Sequence, residues 1–183
     1  VDDGSTDGTH EILSKNYPEI KILKGDGNLW WTASVNMGIE YAITNGADLI
    51  LTLNNDTIAP PDYIENHIKW HKKNPVALLG SYAINKETGL PEYGGEIIDW
   101  KFARSLNLLK ALNEKERIGL HEVSHFPGRG LLIPVDVFGK IGLFDNKDFP
   151  HYYADYEFTH RAIRSGFKIY CNFDAKLLTY PNE

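Results

Sequence analysis

Asp48-Leu49-Ile50-Leu51-Thr52-Leu53-Asn54-Asn55-Asp56-Thr57 joins a short, nearly continuous apolar run to a cluster of amides and one carboxylate. The apolar part, 48–53, has the character of a strand buried on both faces, as in sheets covered by helices. The polar part then falls at the strand's carboxyl end, where open α/β sheets place their ligands. Working outward, Ala33 to Thr44 carries Val35, Met37, Ile39, Ala42 and Ile43 at helical spacing and stops at Asn45-Gly46. Downstream, Pro60-Pro61 opens a second helix to about Lys73, proline being tolerated in a first turn.

Further elements extend the pattern. Thr9 to Asn16 reads as a helix bounded by Pro18, and Ile20 to Leu23 and Val76 to Ala83 read as strands. Strands alternating with helices of this length predict βαβ units and an α/β fold with a mainly parallel central sheet. Past residue 84 the pattern changes. Residues 87–100, with Gly89, Pro91, Gly94 and Gly95, suggest a hairpin or irregular excursion, and 101–120 is charged and partly helical. Residues 123–133 return to strand character around Pro127-Gly128-Arg129-Gly130; a helix is expected from Asp155 to Ser165, then short strands over 168–172 and 176–179. The expectation is one domain, 1–183, whose pattern changes after residue 84. Val1, running directly into Asp2-Asp3-Gly4-Ser5, reads as the stub of a first strand whose body lies upstream.

Composition excludes several classes. At 183 residues, 42% hydrophobic and 24% charged, the chain is globular and long enough for a sizeable core. A net charge of -6 argues against nucleic acid as a partner, since phosphate binding needs a basic face. The single cysteine, Cys171, forms no internal disulfide, and no Cys/His cluster has zinc spacing. A reducing, cytoplasmic setting follows as the expectation. No apolar run approaches the roughly 20 residues of a membrane span, so membrane contact is expected to be peripheral at most.

Three clusters can carry chemistry. Asp2-Asp3-Gly4-Ser5-Thr6-Asp7 and Asn54-Asn55-Asp56-Thr57 both follow strand-like runs. Their oxygens suit ribose hydroxyls, a base imide or a hard divalent cation. Each alone is equally a turn or helix cap. The third, His151-Tyr152-Tyr153-Ala154-Asp155-Tyr156-Glu157, leads into a helix, where a carboxylate in the first turn is favoured by the dipole even without a catalytic role.

Together these segments resemble the family 2 glycosyltransferases, which have the GT-A fold. Residues 1–9 are similar to that family's signature after the second strand, and Leu53-Asn54-Asn55-Asp56-Thr57 resembles a variant of its Asp-x-Asp motif associated with rhamnosyltransferase-like members. Gly27-Asn28-Leu29-Trp30-Trp31 through Asn36 and Gly38 resembles the intervening segment, and Tyr153-Ala154-Asp155-Tyr156-Glu157 with Arg161 resembles the motif holding the catalytic base. The order is the family's, over nearly the whole chain, and the resemblance implies a nucleotide-binding half at 1–84 and an acceptor and catalytic half at 85–183.

The resemblance implies a bacterial enzyme of surface-polysaccharide synthesis, working in the cytoplasm or at the inner face of the cell membrane. Its partners would be a UDP- or dTDP-linked sugar donor and a glycan or lipid-linked acceptor, and its cofactor Mn²⁺ or Mg²⁺. Asp2 would accept from the base imide, with Asp3 as a further nucleotide contact. Asn28 and Trp30 would lie near the nucleotide or donor sugar, and Asn54 would face the ribose or the metal shell. Asp56 would bind the metal, with His151 a second ligand, and Asp155 would be the general base. Asn54 and Ala154 depart from the family's acids at their positions. A nucleotide-sugar nucleotidyltransferase and an inactive nucleotide-sugar-binding module stand as alternatives.

Overall fold

Leucine- and isoleucine-rich runs build the sheet at the heart of this protein, seen in a computed structural model that describes residues 1–180. The helices are α1 (Thr9–Asn16), α2 (Trp30–Thr44), α3 (Tyr63–His71), α4 (Leu108–Ala111), α5 (Val135–Ile141) and α6 (Ala154–Arg164). The strands are β1 (Leu49–Thr52), β2 (Thr57–Ile58), β3 (Leu78–Asn85), β4 (Pro91–Tyr93), β5 (Glu96–Asp99), β6 (Arg104–Asn107), β7 (Leu120–Val123), β8 (Leu131–Pro134) and β9 (Ile169–Thr179). Contacts divide the chain into two compact units. One comprises Val1–Ala47 and Leu143–Phe158, the other Asp48–Gly142 and the residues from Thr159 onward. The chain passes from one to the other three times.

The second unit holds a seven-stranded sheet in the order β1-β8-β3-β9-β2, with β4 on β3 and β7 on β9. The α/β class stands, but the pairing corrects the mainly parallel sheet read from sequence. Among the described residues of this sheet only β3 and β9 pair in parallel; β8 inserts antiparallel between β1 and β3, and β2, β4 and β7 add antiparallel contacts. Continuous apolar runs report burial on both faces and say nothing of direction, which is why the sequence misled here. The two closing strands expected at 168–172 and 176–179 are one strand, β9, with a register shift where it pairs with β3. Residues 87–100 do not form one hairpin, since β4 pairs with β3 and β5 with β6.

Leu79 and Leu132 pack with Ala77 beneath Leu49, Leu51 and Trp70, and Tyr63 packs with Ala175 and Leu177. Gly80 lets Phe126 lie flat on β3, because a Cβ there would stand 2.3 Å from the Phe126 ring. Burial pushes the Cys171 thiol well above its ordinary range, so it serves as packing. No helix among the described residues is long and apolar enough to cross a membrane.

In the first unit, α2 buries Thr32, Asn36 and Ile39 on one face. The strand expected at Ile20–Leu23 shrinks to a single parallel bridge between Asp2 and Lys24, in which the Asp2 amide donates to Leu23 O and the Gly25 amide to Asp2 O.

Candidate active site

The loop after Asp2 is organised by its carboxylates. Asp2 Oδ1 accepts the Ser5 amide at 3.0 Å, and Oδ2 lies 3.6 Å from His10 Nδ1. The Ser5 hydroxyl and then its amide hold the Asp2 carboxyl below the usual carboxylate range. Asp3 reaches across the sequence: Oδ1 accepts the Gly27 amide at 2.8 Å and Oδ2 the Leu29 amide at 2.9 Å. Gly25 is required for that approach, since a Cβ there would lie 2.2 Å from Asp3 Oδ1. Asp3 therefore fixes the 25–29 loop. Asn28, exposed in that loop, receives its own order from Asp26, whose Oδ1 accepts the Asn28 amide at 2.9 Å.

Two buried polar residues of α2 then position the segment leading to Asp155. Thr32 donates its hydroxyl to Phe149 O at 2.7 Å and its amide to Pro150 O at 3.2 Å. One turn on, Asn36 donates to Phe144 O at 2.8 Å and accepts the Phe144 amide at 3.1 Å. Threonine and asparagine four apart share a helical face, and that spacing is the signal that sequence reading left without a role.

What they deliver is a cluster of exposed aromatics. Trp30, Tyr152 and Tyr153 are 63%, 75% and 69% exposed. The Trp30 ring meets His151 edge-on at 5.6 Å, and His151 meets Tyr152 at 4.3 Å. Trp30 (φ 56°) and Tyr153 (φ 67°) occupy left-handed backbone, a strained state for bulky side chains that concentrates at functional sites. Asp155 follows, half-buried in the first turn of α6, its Oδ1 at 2.9 Å from the Tyr156 amide. Ala154 beside it is fully buried, so the acid that the resembling motif has at this position would be a charge inside the packed face of the helix.

In the second unit, β1 runs into the Asn54–Thr57 turn, closed by the Thr57 hydroxyl donating to Asn54 O at 2.7 Å. Thr52, the last residue of β1, grips the Pro127–Gly130 loop: its hydroxyl donates to Gly128 O, and its carbonyl accepts the Gly130 amide at 2.8 Å. The Ser81 hydroxyl donates to Gly130 O at 2.6 Å, with Tyr63 Oη at 2.6 Å and His67 Nε2 at 2.9 Å behind it. Asp56 is exposed and Arg129 half-buried, and neither has a hydrogen bond or ion pair to the described residues. Sequence reading assigned Arg129 nothing; the flanking glycines were its only signal.

Asp2, Asp3, Asn28, Trp30, His151 and Asp155 thus belong to the first unit, and Asn54 and Asp56 to the second. Among the described residues no three His, Cys, Asp or Glu side chains group to hold a metal. An all-protein cage is therefore not formed. One exposed carboxylate does fit an ion that takes its remaining ligands from substrate phosphates and water, as Mg²⁺ commonly does.

Residues 1–142 match glycosyl transferase family 2, and the chain belongs to that family. Its fold is that of the GT-A glycosyltransferases. It is similar to the crystal structure of GalNAc-T7 with UDP, GalNAc and Mn²⁺, with a TM-score of 0.71 and 13% identity over 96% of this chain. The similarity covers 35% of that chain, so the protein described here spans about a third of its length. No curated protein sequence is a match.

Proposed function

We propose that this chain carries donor-binding and catalytic residues of an inverting glycosyltransferase that moves a sugar from a UDP- or dTDP-sugar to a glycan or lipid-linked acceptor. The carrying observation is Asp155, a half-buried carboxylate in the first turn of α6, directly after a run of exposed aromatics held in strained backbone. A carboxylate so placed can take the proton of an acceptor hydroxyl as its oxygen attacks the anomeric carbon. The bond from that carbon to the diphosphate oxygen breaks in the same step, the electron pair leaves with the diphosphate, and configuration inverts. Trp30, Tyr152 and Tyr153 offer faces on which a pyranose can stack.

Asp56 is the residue we assign to a divalent cation, Mn²⁺ or Mg²⁺, and Asn54 to the ribose or metal shell. A cation bound there offsets the negative charge that develops on the leaving diphosphate. Arg129, a cation unengaged by the described residues, suits the same phosphates. His151, expected as a ligand, is better read as part of the aromatic cluster, given its contacts with Trp30 and Tyr152. Asp2 is our candidate for the base imide. Asp3 we read as the clamp of the nucleotide-side loop rather than as a ligand of its own. Bacterial surface-polysaccharide synthesis at the inner membrane face is the setting this reading favours.

The test is Asp155→Asn in the enzyme supplied with Mn²⁺ and a panel of UDP- and dTDP-sugars, followed by nucleotide release. Transfer should fall by about 10²- to 10⁴-fold while nucleotide affinity holds. Retained turnover would remove Asp155 as base.

A further inference from the structure

β5 and β6 form a two-stranded sheet of their own, and several of the large apolar side chains on it and at its tip are exposed. Ile97 and Leu106 face each other across the ladder and are 37% and 39% exposed; Trp100 and Phe102, at the tip, are 72% and 63% exposed. Four large apolar side chains within ten residues make an exposed patch of the kind that marks an interaction surface. Two cations frame it. Lys101 Nζ lies 5.3 Å and the Arg104 guanidinium 5.1 Å from the centre of the Phe102 ring, and Asp99 orients Arg104 through a 3.2 Å contact. The tip, residues 99–104, holds Lys101 and Arg104 against Asp99, in a chain whose net charge is -6. Ala103, at the bend, takes a left-handed φ of 48°.

From this combination we infer that the β5–β6 hairpin is a membrane-docking element that sets its tip into the headgroup region of an anionic bilayer. Indole and phenyl rings are favoured at that depth, and lysine and arginine beside them are drawn to anionic headgroups. The pairing of exposed aromatics with cations, on an otherwise acidic chain, is complementary to a negatively charged lipid surface. Such an element would hold an enzyme where a lipid-linked acceptor is found. The inference does not depend on the catalytic reading: loss of vesicle binding and loss of sugar transfer are separate results.

Flotation of the protein with phosphatidylcholine vesicles, with and without phosphatidylglycerol, tests it. Binding should require phosphatidylglycerol and fall as salt is raised. Trp100→Ser with Phe102→Ser should weaken binding by about 100-fold, as expected for removing two inserted rings. Lys101→Glu should cost at least about fivefold. These side chains are exposed, so the thermal melt of each variant should match that of the parent, which separates lost docking from lost folding. Absence of binding to phosphatidylglycerol vesicles, or binding unchanged in the Trp100 and Phe102 variant, overturns the proposal. So does a concentration-dependent doubling of mass abolished by that variant without vesicle binding, which would assign the face to a second copy of the chain.

Discussion

Two loops of this protein are held in opposite ways. In the first unit the 25–29 loop hangs on a carboxylate, Asp3, whose two oxygens accept backbone amides. In the second unit the Pro127–Gly130 loop hangs on hydroxyls, Thr52 and Ser81, which donate to backbone carbonyls. The difference matters for function. In the first unit Asp3, which does the holding, is withdrawn from ligand chemistry. Where neutral hydroxyls do it, the charged residues nearby, Asp56 and Arg129, stay unengaged by the described residues.

The largest effect is expected at Ser81. Its one proton goes to Gly130 O, which can only accept, so Tyr63 and His67 must both donate to Ser81 Oγ. Ser81→Ala strands three buried groups at once and should cost about 4 kcal/mol in urea unfolding. A loss under 1 kcal/mol would show that the hydroxyl network does not hold this loop.

Acid should loosen the second loop through His67. The donor role fixes His67 as the Nε2–H tautomer, and its buried Nδ1 has no partner among the described residues. Burial pushes His67 down from 6.5 to about 4. Between those values the unfolded chain binds a proton that the folded chain refuses. Stability therefore falls as pH drops through 6.5 and levels near 4, by roughly 3 kcal/mol in all. His67→Gln, which keeps a donor for Ser81, should flatten that slope. Asp2, held below the ordinary 3.8 by Ser5, stays charged throughout this window, and its contribution is lost only as pH falls below the carboxylate range. Equal slopes for His67→Gln and the parent between pH 7 and 4.5 would contradict the assignment.

A smaller effect separates the acidic residues themselves. Asp3→Ala removes two charge-assisted bonds from a half-buried site and should destabilise by about 2 kcal/mol. Asp56→Ala should stay within about 0.5 kcal/mol, as exposed substitutions do, yet weaken Mn²⁺-dependent nucleotide binding. Reversed results in paired melting and titration experiments would reverse the roles.

Sequence alone could not have sorted these residues. Asp2-Asp3 and Asn54-Asn55-Asp56 look alike as acidic turns after strands, and local pattern found both. It also gave α1 its exact bounds, because helical period and turn residues are local signals. What it missed depends on distant partners. Asp3 meets Gly27 and Leu29 only once the loop folds back, and Thr32 and Asn36 meet Phe149 and Phe144 more than a hundred residues on. Strand direction failed for the same reason: β8 reaches its place between β1 and β3 from far along the chain.

The finest test restores a charge to the second loop. Asn54 stands where the resembling motif has an acid, and the turn is closed by its backbone carbonyl rather than by its side chain. Asn54→Asp should therefore leave the turn intact and change only the electrostatics beside Asp56. A unit charge about 4 Å from a divalent ion is worth roughly 2 kcal/mol in water before salt screening. Nucleotide affinity in Mn²⁺ should then rise by about tenfold. With the metal chelated the sign should invert, since two carboxylates would repel a diphosphate that one tolerated. Titration of UDP with and without Mn²⁺ reads both arms. A change of the same sign in each would mean that residue 54 acts on the nucleotide directly, and that the metal sits elsewhere than at Asp56.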